Sequence, residues 1–356
     1  MEVLNVGRGS AVLVHLNEDS SKVGVVDCYE GDDRSHPLLR RLREIAGDGP
    51  APVIEFLVVT HPHDDHFRGI GAVLAEFEVR RYCDCGIDPR DIARSEHHSP
   101  QPYDKVVVTD LEAVEEFIKK YPERHQVLAS HSTVIFEQEP YVLATVAPTG
   151  KAVASTRREI KKFIGRIVDA AERDDYAAMT RVLRTVSFDL NKVSSALSFA
   201  AFDAKMILGG DVLAPEWDRV ASILALEAHG FLLSHHGSAN ALSEPLWEGE
   251  LLDCVRFAMV SCRGKKHPHN DVIKFLTDKG VDTWCTRIGH RVLSSDPVVE
   301  LVLVTRGCRS AEASEMCGDV VVSRAPSEEL KVDGTRISIR GGLVSAAAET
   351  RSYSID

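Results

Sequence analysis

The chain has 356 residues, 44% of them hydrophobic and 27% charged, with a formal net charge of −12. That length and apolar content support one large domain or two modest ones. The acidic balance argues against wrapping duplex DNA through broad electrostatics and leaves room only for a local basic groove. No apolar run approaches the roughly 18 residues of a membrane span. The opening stretch MEVLNVGRGSAVLVHL lacks a basic region followed by an apolar core and a cleavage site, so no signal peptide is expected. The eight cysteines are scattered, with only Cys83 and Cys85 close together. This is no disulfide framework, and reduced thiols in a cytoplasmic protein are expected.

In chain order, short β-branched runs at 10–16, 23–28 and 53–60 predict strands. Between the last two, 36–47 predicts a helix, with Leu38, Leu39, Leu42 and Ile45 at helical spacing and Gly47 closing it. A second helix is expected at 70–77. Residues 151–186 read as one or two charged helices with Ile160, Phe163, Ile164 and Ile167 as an apolar stripe and Arg158, Lys162 and Arg166 on another face. Strand-then-helix patterns recur over 197–224 and 230–279, and the last fifty residues read as added short strands. Such alternation predicts an α/β protein whose sheets are covered by helices.

The stretch LVVTHPHDDHFRG, residues 57–69, places His61, His63, Asp65 and His66 in one loop directly after an apolar run. Imidazole nitrogens and a carboxylate crowded this closely suit Zn²⁺, or Mn²⁺ or Fe in a more oxygen-rich site. Two further strand ends carry similar donors: Asp211 after MILGG, and His235 and His236 after GFLLS. Gly-Gly-Asp is also ordinary turn chemistry. Three strand ends that each deliver His or Asp, however, match the way sites are assembled from loops at one sheet edge. On an extended backbone the side chains of His235 and His236 would point oppositely, so only one is expected to ligate.

These residues resemble the metallo-β-lactamase superfamily. HPHDDH matches its HxHxDH signature, the Asp of LGGD matches its bridging aspartate, and a later strand-end His completes the set. LNVGRGSAVLV, NKVSSALSFAAFDAKMILGGD, SHHGS and the HPHN segment look like motifs of its ComEC-type branch, spread over residues 4–290. The resemblance implies an αββα sandwich over residues 1–300, with 151–186 as a helical insertion and 301–356 as a β-rich extension. It also implies two divalent metal ions, with zinc favoured. His61 and His63 would hold one ion. Asp65, His66 and one of the pair His235 and His236 would hold the other, with a slight preference for His236 because the family's last ligand often precedes Gly. Asp211 would bridge. Many members carry one more His between the first motif and the bridging Asp. His97, His98, His125 and His131 are available, but none stands in a matching context, and the first ion is expected to be held more loosely. Asn191 and Ser194 of the NxxS motif would lie near the site.

The implied chemistry is hydrolysis, since two ions about 3.5–4 Å apart can share a hydroxide and lower the pKa of bound water towards about 7. His63 stands where flavo-diiron relatives have Glu, which favours hydrolysis over redox chemistry. No G-x-S-x-G elbow or G-x-x-x-x-G-K-[ST] loop offers another mechanism. The ComEC-type branch is linked to phosphodiester cleavage, so the expected substrate is a phosphodiester, including single-stranded nucleic acid or a nucleotide. Asp65 would serve catalysis as well as metal binding. Asn191, Ser194, Lys265 and Lys266 would contact substrate beside Arg263, and His267 would donate a proton or a hydrogen bond to a leaving-group or phosphoryl oxygen. The alternatives are an ester, lactone or amide hydrolase of the same fold, and a non-enzymatic, metal-stabilised interaction module among the partner proteins of a multicomponent system.

Overall fold

A computed structural model describes residues 1–31, 33–86, 105–173, 175, 177–178, 189–251, 253–262, 267–288, 302–303, 316–317, 320–324, 329–340 and 343–354. The chain is α/β. In order, its strands are β1 (Glu2–Val3), β2 (Val12–His15), β3 (Lys22–Val26), β4 (Val53–Val58), β5 (Tyr82–Asp84), β6 (His125–Val127), β7 (Val134–Gln138), β8 (Tyr141–Ala147), β9 (Ala196–Ala201), β10 (Ala204–Leu208), β11 (Gly230–Leu232), β12 (Phe257–Val260) and β13 (Asp282–Cys285). The C-terminal strands are β14 (Arg287–Ile288), β15 (Val302–Leu303), β16 (Met316–Cys317), β17 (Val320–Arg324), β18 (Glu329–Arg340) and β19 (Leu343–Ser354). β14 and β16 form a separate two-stranded sheet, and the rest join a mixed 17-stranded one.

The large sheet has two arms. In one, β3, β4, β5 and β6 run parallel, followed through antiparallel β2 and β1 to β17. In the other, β10, β11, β12 and β13 run parallel, with β9, β8 and β7 added antiparallel. The 12-residue β18 joins the arms, pairing with β17 through its first half (Val321↔Asp333) and with β13 through its second (Thr283↔Ile337). β19 runs antiparallel along its whole length.

Side-chain alternation sorts the apolar residues into layers. Along β12, Phe257 and Met259 join Val12, Val14, Phe56, Val58, Met206 and Leu208 in a core shared by both arms. The alternate residues Ala258 and Val260 pack outward with Trp217, Val220, Ile273 and Leu276, from the helices Ala214–Ala221 and Asn270–Asp278. On the other arm Leu13, Val25 and Leu57 meet Leu38, Leu42, Ile70 and Val73, from the helices Pro37–Ala46 and Ile70–Glu76. The parallel strands thus point their C-terminal ends toward one edge, where the candidate residues lie.

The helix expected at 36–47 is Pro37–Ala46, capped by the His36 side chain and closed at Gly47. The strand expected over 23–28 stops at Val26, because Asp27 takes a left-handed φ of 60° and turns the chain. Within 151–186 the helix Gly150–Glu172 is described. Ile160 and Phe163 of its expected stripe are buried; the side chains of Ile164 and Ile167, and most of 174–188, lie outside the described residues. Val153 and Ile160 pack on Leu190, Val193 and Cys85, which makes the helix part of the packed body. The C-terminal strands, expected as an extension, enter the main sheet at β1 and β13.

That pairing yields a prediction. Trp284 on β13 is fully buried and donates to Tyr353 Oη at 3.1 Å. A chain ending at residue 300 would expose the β1 and β13 edges and open the shared core, and is expected to lose its cooperative thermal transition by circular dichroism. An unchanged transition would show the C-terminal strands to be dispensable.

Candidate metal centre

Four strand ends build the centre. β3 delivers Asp27, β4 leads through Thr60 to His61, β10 leads through two glycines to Asp211, and β11 leads to His235 and His236. Ligand sites at the carboxyl ends of parallel strands are the rule in open α/β sheets. After His61 the chain makes one short helix, Asp64–Phe67, capped at His63. It places His63, Asp65 and His66 on one small volume.

The glycine before Asp211 is required by space. Gly210 has φ +50°, and a Cβ there would stand 2.4 Å from Ser195 O and 2.8 Å from Ser194 Oγ. Gly9 is similarly confined, since a Cβ would lie 2.3 Å from Asp65 O. The N-terminal VGRGS loop therefore seats directly on the 61–66 loop. Ser10 N–H donates to Asp65 O at 3.0 Å, and Ser261 Oγ donates to Gly9 O at 2.8 Å.

Two donor groups result. His61, His63 and Asp211 form one, and Asp65, His66 and His236 form the other, with the donor atoms of each group within 4.8 Å of one another. Asp211 faces both. Its Oδ2 lies 3.6 Å from His61 Nε2, and its Oδ1 lies 3.2 Å from His66 Nε2 and 3.9 Å from His236 Nε2. His236 Nε2 also lies 3.5 Å from Asp65 Oδ2. His66 Nε2, His236 Nε2 and Asp211 Oδ1 are buried with no hydrogen-bond partner. Buried polar atoms are almost always partnered, so three orphans pointing at one volume fit a cation that the side chains would ligate. The mixed imidazole and carboxylate set suits a divalent ion.

The electrostatics agree. Burial alone would raise the Asp211 carboxyl, but His66, His236 and His61 outweigh it and hold it well below the usual range. Burial would lower His236, yet Asp211 and Asp65 bring it up to about 9; His66 is raised by Asp211 and Asp27 against its burial. His61 goes the other way, lowered by burial and by the neighbouring His66.

The premise about the paired histidines is corrected. His235 and His236 sit in left-handed backbone (φ 49° and 54°), not on an extended strand, so alternation does not apply. His236 enters a donor group. His235 Nε2 lies 3.8 Å from Asp211 Oδ2 and its Nδ1 lies 3.1 Å from Asn240 Oδ1, but it joins neither group. His125 pairs instead with Asp84 at 3.2 Å, and His131 joins no donor group. His97, His98, Arg263, Lys265 and Lys266 lie outside the described residues.

Ser194, expected at the substrate, is buried behind the ligands. Its Oγ accepts from Asp211 N–H at 2.8 Å and lies 3.3 Å from His61 Nδ1. Asn191 is on the adjacent one-turn segment Leu190–Val193, with Oδ1 buried and unpartnered. The ring of His267 lies 5.8 Å from that of His235 and 6.5 Å from that of His236. It does not cap the following helix; the His269 side chain does. Burial, with His236 and His235 alongside, lowers His267 to about 4.

Asp27 was not singled out in the sequence. It accepts from His66 Nδ1 at 2.8 Å, from Thr60 N at 2.8 Å and from Thr60 Oγ1 at 3.1 Å. The signal was present, since Asp27 ends an apolar strand just as Asp211 does, but a lone Asp among many gives no pairing. No protein-family model matches the chain, and no curated protein matches it.

The raised His236 gives a pH prediction. Its folded pKa of about 9 exceeds the ordinary 6.5, so its stabilising contribution is full below pH 6.5 and is lost as pH rises through 9. In metal-free protein, the stability gap between wild type and His236→Asn should narrow from pH 6.5 to 9, measured by denaturant unfolding with chelator present. A gap that is constant or widens would contradict this electrostatic picture.

Proposed function

We propose that the protein is a dinuclear metal-dependent hydrolase that cleaves phosphodiester bonds, built as the αββα sandwich of the metallo-β-lactamase superfamily. One observation carries the reading: a single buried carboxylate, Asp211, belongs to one donor group and turns its Oδ1 to the other, 3.2 Å from His66 Nε2. In support, two sheet arms enclose one core and helices cover the outer faces.

His61, His63 and Asp211 would hold one divalent ion, and Asp65, His66, His236 and Asp211 the other. Bound ions would supply an activated water and stabilise charge on the attacking and leaving oxygens, which is the chemistry phosphodiesters need. The protein does the rest. Asp27 and Ser261 O fix the rings of His66 and His236 through their Nδ1 atoms, the latter at 2.8 Å. Asp65, held below the usual carboxylate range despite its burial by His236 and His66, stays ionised, able to ligate and to accept a hydrogen bond. His235, at the half-open side, and His267 would face the substrate. With its pKa near 4, His267 is neutral at pH 7. It would donate a hydrogen bond to a phosphoryl oxygen rather than act as a proton reservoir, the second of the two roles expected from sequence.

No helix of the described residues is long and apolar enough to cross a membrane.

The deciding experiment reconstitutes the protein with Zn²⁺ or Mn²⁺ and offers single-stranded DNA, RNA, cyclic dinucleotides, a generic phosphodiester and a lactone. Turnover of a phosphodiester, lost on chelation and restored by metal, is expected. Turnover of the lactone alone would point to ester chemistry, and no turnover with full metal content would point to a binding module. His267→Ala should keep both ions and the melting temperature while lowering kcat by about 10²–10³-fold, as removal of one transition-state donor does. An unchanged kcat would remove His267 from the mechanism.

A further inference from the structure

The two donor groups differ in what stands behind them. In the Asp65, His66 and His236 group, His66 Nδ1 donates to the buried carboxylate of Asp27 at 2.8 Å, and Asp27 is itself held by two bonds from Thr60. His236 Nδ1 donates to Ser261 O at 2.8 Å. Asp65 adds a carboxylate of its own. A carboxylate behind an imidazole makes the ring a better donor and fixes its orientation, and such outer partners are worth about 10–100-fold in metal affinity.

The His61, His63 and Asp211 group has no such support. His61 Nδ1 meets only hydroxyls, Thr60 Oγ1 at 3.2 Å and Ser194 Oγ at 3.3 Å. Thr60 Oγ1 also donates to Asp27 and Ser194 Oγ also accepts from Asp211 N–H, and neither hydroxyl brings a negative charge to the ring. Among the described residues, the one side-chain hydrogen bond of His63 is to His61 Nε2 at 2.8 Å, which an ion would break. The group's only carboxylate is Asp211, which it shares. An ion in the other group would already draw on that charge and repel a second dication close by.

Resting on the dinuclear reading above, we propose that the subsites load in order. The Asp65, His66 and His236 subsite fills first and tightly, and the His61 and His63 subsite is the exchangeable one, with Ser194 as its positioning residue. Ser194 acts through two partners at once, orienting the His61 ring and fixing the backbone of Asp211. Between the two affinities the protein is half-loaded, so two-ion hydrolysis switches on with the free metal concentration.

The test is equilibrium titration of full-length metal-free protein with Co²⁺, followed by visible absorption and by dialysis, with no substrate present. Wild type should bind two ions in separate steps, the first tighter by about 10–100-fold. His63→Ala should keep the tight step and lose the weak one, and Asp65→Asn should do the reverse. Ser194→Ala should weaken only the second step, by about 10-fold, and alter only the second spectrum. Two equal steps in wild type, or a tight step that survives Asp65→Asn and vanishes in His63→Ala, would overturn the proposal; an unchanged second step in Ser194→Ala would remove Ser194 from it. Two unequal steps in a protein that hydrolyses nothing would leave this inference standing and end the hydrolase reading.

Discussion

The carboxylate of Asp211 is where the two arms of the protein meet the same chemistry. It is buried, an expensive state for a charge unless opposite charge surrounds it. Here three imidazoles supply that compensation. The arrangement needs His61 and His66 from one arm and Asp211 and His236 from the other. Most of the described structure reads as the apparatus for that alignment.

Three devices provide it. The shared core between the arms sets their separation, because Phe56 and Val58 on one side pack with Met206, Leu208, Phe257 and Met259 on the other, and close-packed interiors transmit small displacements. The close approach at Gly9 and Gly210 lets backbone stand where a side chain would otherwise hold the loops apart. The layer of Asp27, Thr60, Ser194 and Ser261 then fixes ring orientation. None of these residues needs to touch a substrate, yet each constrains the geometry in which a cation or a phosphoryl group would sit.

Much of the fold was legible along the chain. The helices at 36–47 and 70–77 followed from apolar spacing and an end signal, and the early strands from β-branched runs bounded by turn residues. Their ends were less legible. β3 stops at Val26 because Asp27 is drawn into the centre by Thr60 and His66, a long-range bond that no local propensity encodes. The C-terminal strands read as an appendix because nothing in TRISIRGG names its partners, and pairing with β1 and β13 is a matter of topology.

For the site, the sequence by itself determined the candidates. His61, His63, Asp65, His66, Asp211 and the pair His235 and His236 could be named because residue type and strand-end position are local properties. Only the tertiary structure decided that His236 and not His235 enters a donor group, that the two share a left-handed turn, and that Ser194 stands behind His61 while Asp27 stands behind His66. The physical reason is distance along the chain. Asp27 and His66 are 39 residues apart and Ser194 and His61 133 apart. Hydrogen bonds between such positions exist only once packing of the two arms has set them a few ångströms apart.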